Sequence, residues 1–408
     1  MRQSQSMMER QILFYFDNTR LGPSQRALLA LIDALGGEKF ALRFLLPDTD
    51  GALFAALRAR GFEPDVLAMP ATLRQALSSR GGVRGWLAAA YALLAYYRKL
   101  FRYFKMYDFG LVHSDGLRAH LLTIGIKIRF NVPLVWQLWS IMPQSLGLRL
   151  FCNLAAVFSD YLVASSMYVA HQMGRSTRWR KRLSVLYRGY DSVRLSPIAA
   201  PAARPVLAAV SSHENPNGYK VFLLAFALAR RELPDLRAVV LVEGSDPATV
   251  TRIEDFGRAQ NLGDFLSVQP MSAGDGAVGI APELTRRAVM AYVNASVDLA
   301  PFHSDVAEAM GAGVPVVASR IGVLAELILS ESTGLLFAPG DAKELAVALV
   351  RLATDQQLRS QLAINARHEF TARFGIQAYT QAIARIYADY LPAETGEAAE
   401  NSPQKKAA

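Results

Sequence analysis

The 408-residue sequence predicts an α/β protein made of two doubly wound parallel sheets, one after the other. Short apolar runs alternate with longer stretches of helical spacing through nearly the whole chain. Those runs are continuously apolar rather than alternating, as strands buried on both faces of a parallel sheet must be. The length is also too great for one ordinary domain.

In the first half the strands are expected at Ile12–Phe16, Phe40–Leu46, Phe109–His113, Pro133–Leu138, Tyr161–Ser165 and Leu183–Tyr187, with helices such as Ser24–Leu35 and Leu53–Arg60 between them. The second half repeats the rhythm at Val206–Ser211, Ala238–Glu243, Ser296–Phe302 and Val314–Ser319. The segment Ser196–Pro205, reading SPIAAPAARP, can build neither a core nor a ladder and reads as a linker. Domains are therefore expected over residues 1–195 and 196–375. Ile376, Tyr379, Ile383, Ile386 and Tyr390 recur at helical spacing and mark a last amphipathic helix over 376–392. The polar tail, 393–408, is expected to be disordered.

Hydrophobic residues make up 52% and charged residues 19%, which excludes global disorder. A lone cysteine, Cys152, excludes an internal disulfide framework and a multi-cysteine metal site, and suits a reducing cytoplasm. It lies in the apolar run Leu148 to Val157, where a buried thiol is expected. Met1 to Gln11 has no apolar core of a secretory signal, and Trp86 to Tyr97 is too short to span a bilayer.

Charge is divided unevenly. Residues 1–200 hold 26 Lys and Arg against 12 Asp and Glu, a net of +14, while 201–408 hold 18 against 23, a net of −5. The first half is therefore expected to face an anionic partner. Between Leu73 and Tyr107, Arg74, Arg80, Arg84, Arg98, Lys99, Arg102 and Lys105 are interleaved with Trp86, Tyr91, Tyr96, Tyr97, Phe101, Tyr103 and Phe104. A second basic cluster, Arg175, Arg178 and Arg180–Arg182, encloses Trp179. This pattern describes a surface that sits on anionic headgroups without crossing them, through Arg98, Lys99, Arg102 and Lys105. A core helix with a solvated basic face has the same pattern, and no nucleic-acid motif accompanies the charge.

The segment Ala307–Asp341 reads AEAMGAGVPVVASRIGVLAELILSESTGLLFAPGD. It resembles the signature of glycosyltransferase family four, the retaining enzymes of GT-B fold, in six elements: Glu-Ala-Met, a small-residue turn, Pro-Val-Val, a Gly loop, Thr-Gly-Leu-Leu and Pro-Gly-Asp. Weaker echoes run along the chain. Leu21-Gly22-Pro23-Ser24 with Arg26 falls at the family's glycine-rich loop, Val112-His113-Ser114 at its Val-His strand end, Tyr187–Asp191 at its Asn-Gly-Val-Asp turn, and Gly244–Pro247 at its Gly-rich turn. The resemblance implies two Rossmann-like domains facing a central cleft, with the C-terminal helix packed back on the first. It also implies transfer of a sugar from a nucleoside-diphosphate sugar without metal or other cofactor.

Such chemistry needs N–H groups and cations for the leaving diphosphate, and carboxylates for nucleotide and sugar hydroxyls. By the resemblance, Glu308 is the second of the family's paired glutamates and holds the ribose, in a helix capped by Ser304 and ending at Gly313. The first glutamate is missing. Asp305 is its candidate replacement, equally explained as a first-turn acid favouring the helix dipole, and His303 reads equally as a plain surface residue. Ser212 stands at the family's arginine and Asn217 at its lysine, while Gly218 is kept. Lys220 and Arg320 are the candidate compensating cations, and Gly244 completes the donor side. In the first domain Gly22 belongs to the acceptor-side loop, and His113 with Asp115 stands at the family's His-x-His, where a carboxylate can take a proton or orient a hydroxyl. Trp139 stands at another active-site histidine and can stack on sugar or lipid but cannot exchange protons.

The expected function is a metal-independent, retaining glycosyltransferase at the cytoplasmic face of the inner membrane, acting on a lipid-linked or cell-surface polysaccharide acceptor. Two readings remain beside it: a non-catalytic GT-B-fold binding or assembly subunit of a polysaccharide machine, and another enzyme on the same scaffold, such as a sugar-nucleotide epimerase.

Overall fold

A computed structural model describes residues 11–35, 40–76, 83–139, 146–173, 182–190, 205–211, 217–243, 246–271, 279–300 and 302–391. The expected tail and all of the expected linker except Pro205 fall outside these. In chain order the first half runs β1 (Gln11–Phe16), α1 (Pro23–Leu35), β2 (Leu42–Leu46), α2 (Ala52–Arg58), β3 (Asp65–Val66), α3 (Ala71–Ala76) and α4 (Val83–Met106). It continues β4 (Phe109–Asp115), α5 (Leu117–Phe130), β5 (Leu134–Leu138), α6 (Leu146–Phe158), β6 (Tyr161–Ala164), α7 (Met167–Gln172) and β7 (Leu183–Val185). Then follow β8 (Val206–Ser211), α8 (Gly218–Ala229), β9 (Arg237–Val242), α9 (Pro247–Ala259), β10 (Leu266–Pro270), α10 (Ala281–Arg286), β11 (Ala291–Asn294) and α11 (Ser304–Gly311). The chain closes with β12 (Val316–Ser319), α12 (Leu324–Leu327), β13 (Leu335–Phe337), α13 (Ala342–Thr354), α14 (Gln356–Phe374) and α15 (Ile376–Ala388).

The strands form a seven-stranded sheet, β3-β2-β1-β4-β5-β6-β7, and a six-stranded sheet, β10-β9-β8-β11-β12-β13. The pairs whose register is described are all parallel. The chain divides into two compact units, one of Met1–Gln137, Asn153–Val163 and Thr380–Ala408, the other of Leu138–Cys152 and Ala164–Tyr379.

Strand β9 shows why the runs are continuously apolar. Ala238, Val240 and Val242 point to one face, into a core with Phe222 and Phe226 of α8 and Leu345 and Leu349 of α13. Val239 and Leu241 point to the other, into a core with Val306 and Met310 of α11 and Phe370 of α14. Both faces of the strand are dry from Ala238 to Val242, and its one polar residue, the half-buried Arg237, stands at the strand's first position.

Three expectations need correction. Ser296–Phe302 is not a strand. The sheet strand is Ala291–Asn294, and the Asn294 side chain accepts from the Ser296 amide, turning the chain out of the ladder. Ser304 does not cap its helix: the cap position is His303, which makes no side-chain cap bond. Cys152 is half-buried rather than buried. Its thiol donates to the Gln172 carbonyl at 3.6 Å, and burial pushes it up, away from the reactive thiolate.

Candidate functional site

In the second sheet the chain leaves β8 in one direction through β9 and β10, then returns to the other side of β8 for β11, β12 and β13. The carboxyl ends of β8 and β11 therefore flank a topological switch point, where open α/β sheets bind their ligands. Strand β11 ends in Asn294, which leads to the start of α11 and its two carboxylates. Asp305 accepts from Asn294 Nδ2 at 2.7 Å and from the Tyr292 hydroxyl at 2.5 Å. Burial, reinforced by Asp305 and Glu308, pushes Tyr292 well above its usual range, so it stays a neutral donor. His303 is also buried, 3.9 Å from Asp305, and burial holds it down against the pull of that carboxylate. Asp305 is thus tied to the strand below it.

Glu308, one helical turn on, is half-buried. Its Oε2 accepts from the Ala281 amide at 3.4 Å. A Cβ at Gly279 would lie 1.7 Å from the same oxygen, so the carboxylate occupies space that only a glycine leaves open. Across the switch point, Asn217 and Gly218 begin α8, with Gly218 buried and Asn217 exposed. The first-turn amides of a twelve-residue helix present partial positive charge there. Lys220 is exposed, its Nζ 6.0 Å from the Tyr219 ring centroid. Arg320 is exposed after β12 and donates to the Leu336 carbonyl at 3.4 Å. Ser212 and Gly244 lie outside the described residues.

The first sheet has its own switch point, between β1 and β4. Asp115, the last residue of β4, is buried and accepts from Gln25 Nε2 at 2.8 Å. Gln25 Oε1 in turn accepts from the Gly22 amide at 3.2 Å. The structure thus brings Gly22 and Asp115 together through Gln25, which the sequence reading passed over. Gln25 sits at the third helical position, from which a glutamine reaches back to the cap amide, so a signal was present. Beside them Asp17 accepts from the Arg118 amide at 3.2 Å, packed so closely on Gly116 (φ 95°) that a Cβ there would lie 2.3 Å from the Asp17 carboxyl carbon.

His113 shares the strand face of Asp115 but lies deeper. Its ring stacks on Phe14 at 5.1 Å, and its Nδ1 is 2.6 Å from the Tyr387 hydroxyl of α15. Burial pulls its pKa down to about 3, so it is neutral and walled off. His120, stacked on Trp136, is lowered to about 3 for the same first reason.

On α4, Tyr96, Leu100 and Phe104 point into the core, and Tyr103 donates to Asp65 at 2.7 Å. Most of the aromatics singled out between residues 91 and 107 are therefore packing residues. Tyr91, Leu94, Arg98, Arg102 and Lys105 follow at three- and four-residue steps on the outer face. Tyr91 is 77% and Leu94 55% exposed, and Lys99 and Met106 flank the stripe. The side chains of Arg74, Arg80, Arg84 and Trp86, and residues 174–181 of the second basic cluster, are outside the described ones. Among the described residues no helix is long and apolar enough to cross a membrane, and no three His, Cys, Asp or Glu side chains group as metal ligands.

Two contacts were not legible beforehand. Glu326 of α12 accepts from the Met167 and Tyr168 amides at 2.8 and 2.6 Å and from the Tyr187 hydroxyl at 3.1 Å, tying down the start of α7. Arg188 is buried, its guanidinium 5.3 Å from the Trp139 ring centroid and 5.2 Å from that of Phe302.

Residues 204–355, which include β8, α8 and α11, match the family described as glycosyl transferases group 1. This stretch is a glycosyl transferases group 1 domain. Within curated relatives, the chain is 30% identical over 230 residues to the D-inositol 3-phosphate glycosyltransferase of Saccharomonospora viridis, covering 52% of this chain and 51% of that one. It is 36% identical over 97 residues to a glycogen synthase of Mycobacterium tuberculosis, 24% of this chain and 23% of that protein. The chain thus spans about half the length of the first relative and about a quarter of the second. Among solved structures, Anabaena HepE in complex with UDP matches at TM-score 0.73 and 21% identity over 93% of this chain and 100% of that one. A glycosyltransferase from Rickettsia africae matches at TM-score 0.76 and 15% identity over 95% and 100%. With two doubly wound parallel sheets, one of them contributed by the group 1 domain, the fold is GT-B.

Proposed function

We propose that the chain transfers a sugar from a nucleoside-diphosphate sugar, held at the switch point of the second sheet, to an acceptor hydroxyl. The observation that carries this reading is the half-buried Glu308 carboxylate on α11, with the α8 N-terminus across the same strand ends, inside the stretch that matches the group 1 family. Glu308 accepts from ribose hydroxyls, and the α8 amides take charge developing on the leaving diphosphate. Asp115, fixed by Gln25, orients the acceptor hydroxyl, while His113 supports the strand from within. HepE has been solved with UDP and with UDP-glucose, which supports a nucleotide sugar as donor. The reaction is proposed to retain anomeric configuration and to need no metal.

The outer stripe of α4 supports an acceptor at an anionic membrane surface, lipid-linked or polysaccharide, with the protein bound at the cytoplasmic face of the inner membrane. Tyr91, Leu94 and Met106 enter the headgroup boundary, and Arg98, Lys99, Arg102 and Lys105 meet phosphates.

A thermal-shift panel of UDP, GDP, ADP and their sugar conjugates tests the donor. A ligand at 100-fold its Kd stabilises by about 2.7 kcal/mol. Absence of a shift with every nucleotide contradicts the reading. The uncharged Ser212 and Asn217 favour one further reading, binding without turnover, for which the same panel shows a shift but no nucleoside diphosphate is released in the presence of acceptor.

A further inference from the structure

We propose that the outer ridge of α5 lies on an anionic bilayer beside α4, an inference that rests on the membrane surface proposed for α4 above. Leu117, Leu121, Ile124 and Ile128 follow at steps of four, three and four residues, so they share one side of the helix. Leu117 is 43% and Ile128 70% exposed, with Leu121 and Ile124 half-buried between them. The opposite side, with Ala119, Leu122, Thr123 and Ile126, is buried. A helix apolar on both sides belongs in an interior, yet this ridge is open.

Helix α4 packs against α5, and both belong to the first compact unit. A Cβ at Gly125 would lie 2.3 Å from Tyr97 Cε1, and the rings of Phe101 and Phe130 are 5.7 Å apart. The chain holds 35 Asp and Glu, yet α4 and α5 hold none against eight Lys and Arg, so neither helix repels an anionic surface. On α5 itself Lys127 is paired with Asp160 and Arg118 with Asp17, which leaves the exposed Arg129. Charge therefore comes chiefly from Arg98, Lys99, Arg102 and Lys105 of α4, and α5 adds apolar surface. Peripheral binding strengthens with both, the apolar area buried and the attraction to anionic lipid. A second copy of the chain fits the ridge less well. A two-fold contact sets the same cations against one another, with no acid on either helix to offset them. The ridge also begins two residues after Asp115, which suits an acceptor carried on a lipid.

Partition of the full chain onto vesicles of equimolar phosphatidylglycerol and phosphatidylcholine tests the ridge. Ile128→Asn leaves every cation in place. It is expected to lower the partition constant by about 5- to 30-fold, the loss of most of one isoleucine's transfer from water. Ile364→Asn is the matched control, since Ile364 of α14 is 65% exposed and belongs to the other unit. That variant is expected to bind within about twofold of wild type. Melting curves report whether both are folded. Where Ile128→Asn is not, Ile128→Ala takes its place, with an expected loss of about three- to tenfold. An Ile128→Asn chain that partitions like wild type overturns the ridge and leaves the α4 surface and sugar transfer standing. So does a dimer that forms without vesicles and is lost in Ile128→Asn, which assigns the ridge to a second copy. A wild type that stays in solution with these vesicles overturns the ridge and the α4 surface together, while nucleotide binding still decides the transfer.

Discussion

Gly279→Ala should disarm Glu308 without unfolding the protein. The added Cβ would lie 1.7 Å from Glu308 Oε2, 2.1 Å from Cδ and 2.2 Å from Oε1. Non-bonded atoms settle at about 3.5 Å, so the carboxylate must retreat by roughly 1.5 Å or more. The three atoms nearest the added Cβ all belong to the far end of this flexible side chain. The stability cost is therefore small, below about 1 kcal/mol, and includes the 3.4 Å bond from the Ala281 amide. Donor affinity should fall much further. A charge-assisted contact is worth about 1.5–3 kcal/mol, or roughly 10- to 150-fold in Kd. Melting curves report the first quantity and calorimetric titration with the nucleotide sugar the second. Unchanged affinity in a folded variant refutes the reasoning, because it means Glu308 touches no part of the donor where it now sits.

Other perturbations follow from the same geometry. His113 and His120 have folded pKa values of about 3 against about 6.5 in the unfolded chain. The unfolded state thus takes up more protons between pH 6.5 and 3, and the stability present above pH 6.5 is lost as pH falls through that window. Each should cost about 1.4 kcal/mol between pH 7.5 and 5.5. His113→Phe should remove one such share from the pH dependence of the urea midpoint, and a variant with the wild-type slope contradicts this. Glu326→Ala strands two amides and the Tyr187 hydroxyl, and should destabilise by about 2–3 kcal/mol in chemical denaturation. A loss under about 0.5 kcal/mol shows that water replaces the carboxylate. Reversing Arg98, Lys99, Arg102 and Lys105 to glutamate should abolish sedimentation with anionic vesicles at low salt, and wild-type sedimentation counts against the α4 surface.

Much of the fold was legible because burial on both sheet faces writes itself into the sequence: β9 is apolar at Ala238 through Val242 without a break. What failed was local. The run Ser296–Phe302 is apolar enough for a strand, yet Ala300 and Phe302 are buried by loop packing, and the turn at Asn294 depends on where its side chain points. The site was legible where its residues are neighbours in sequence, as at Ala307–Met310, and illegible where partners come from afar. His113 looked like a catalytic residue because nothing in the sequence announced Tyr387, 274 residues away. Asp305 looked available until Tyr292 and Asn294 were seen to hold it. Trp139 and Arg188 belong to separate loops, and only folding puts a cation on the ring.

The most direct measurement is a crystal structure of the chain grown with the nucleoside diphosphate that stabilises it. Ribose hydroxyls within about 3 Å of the Glu308 carboxylate, with the diphosphate over the first turn of α8, are the predicted result. A nucleotide seated away from the carboxyl ends of β8 and β11, with Glu308 out of its reach, contradicts the account.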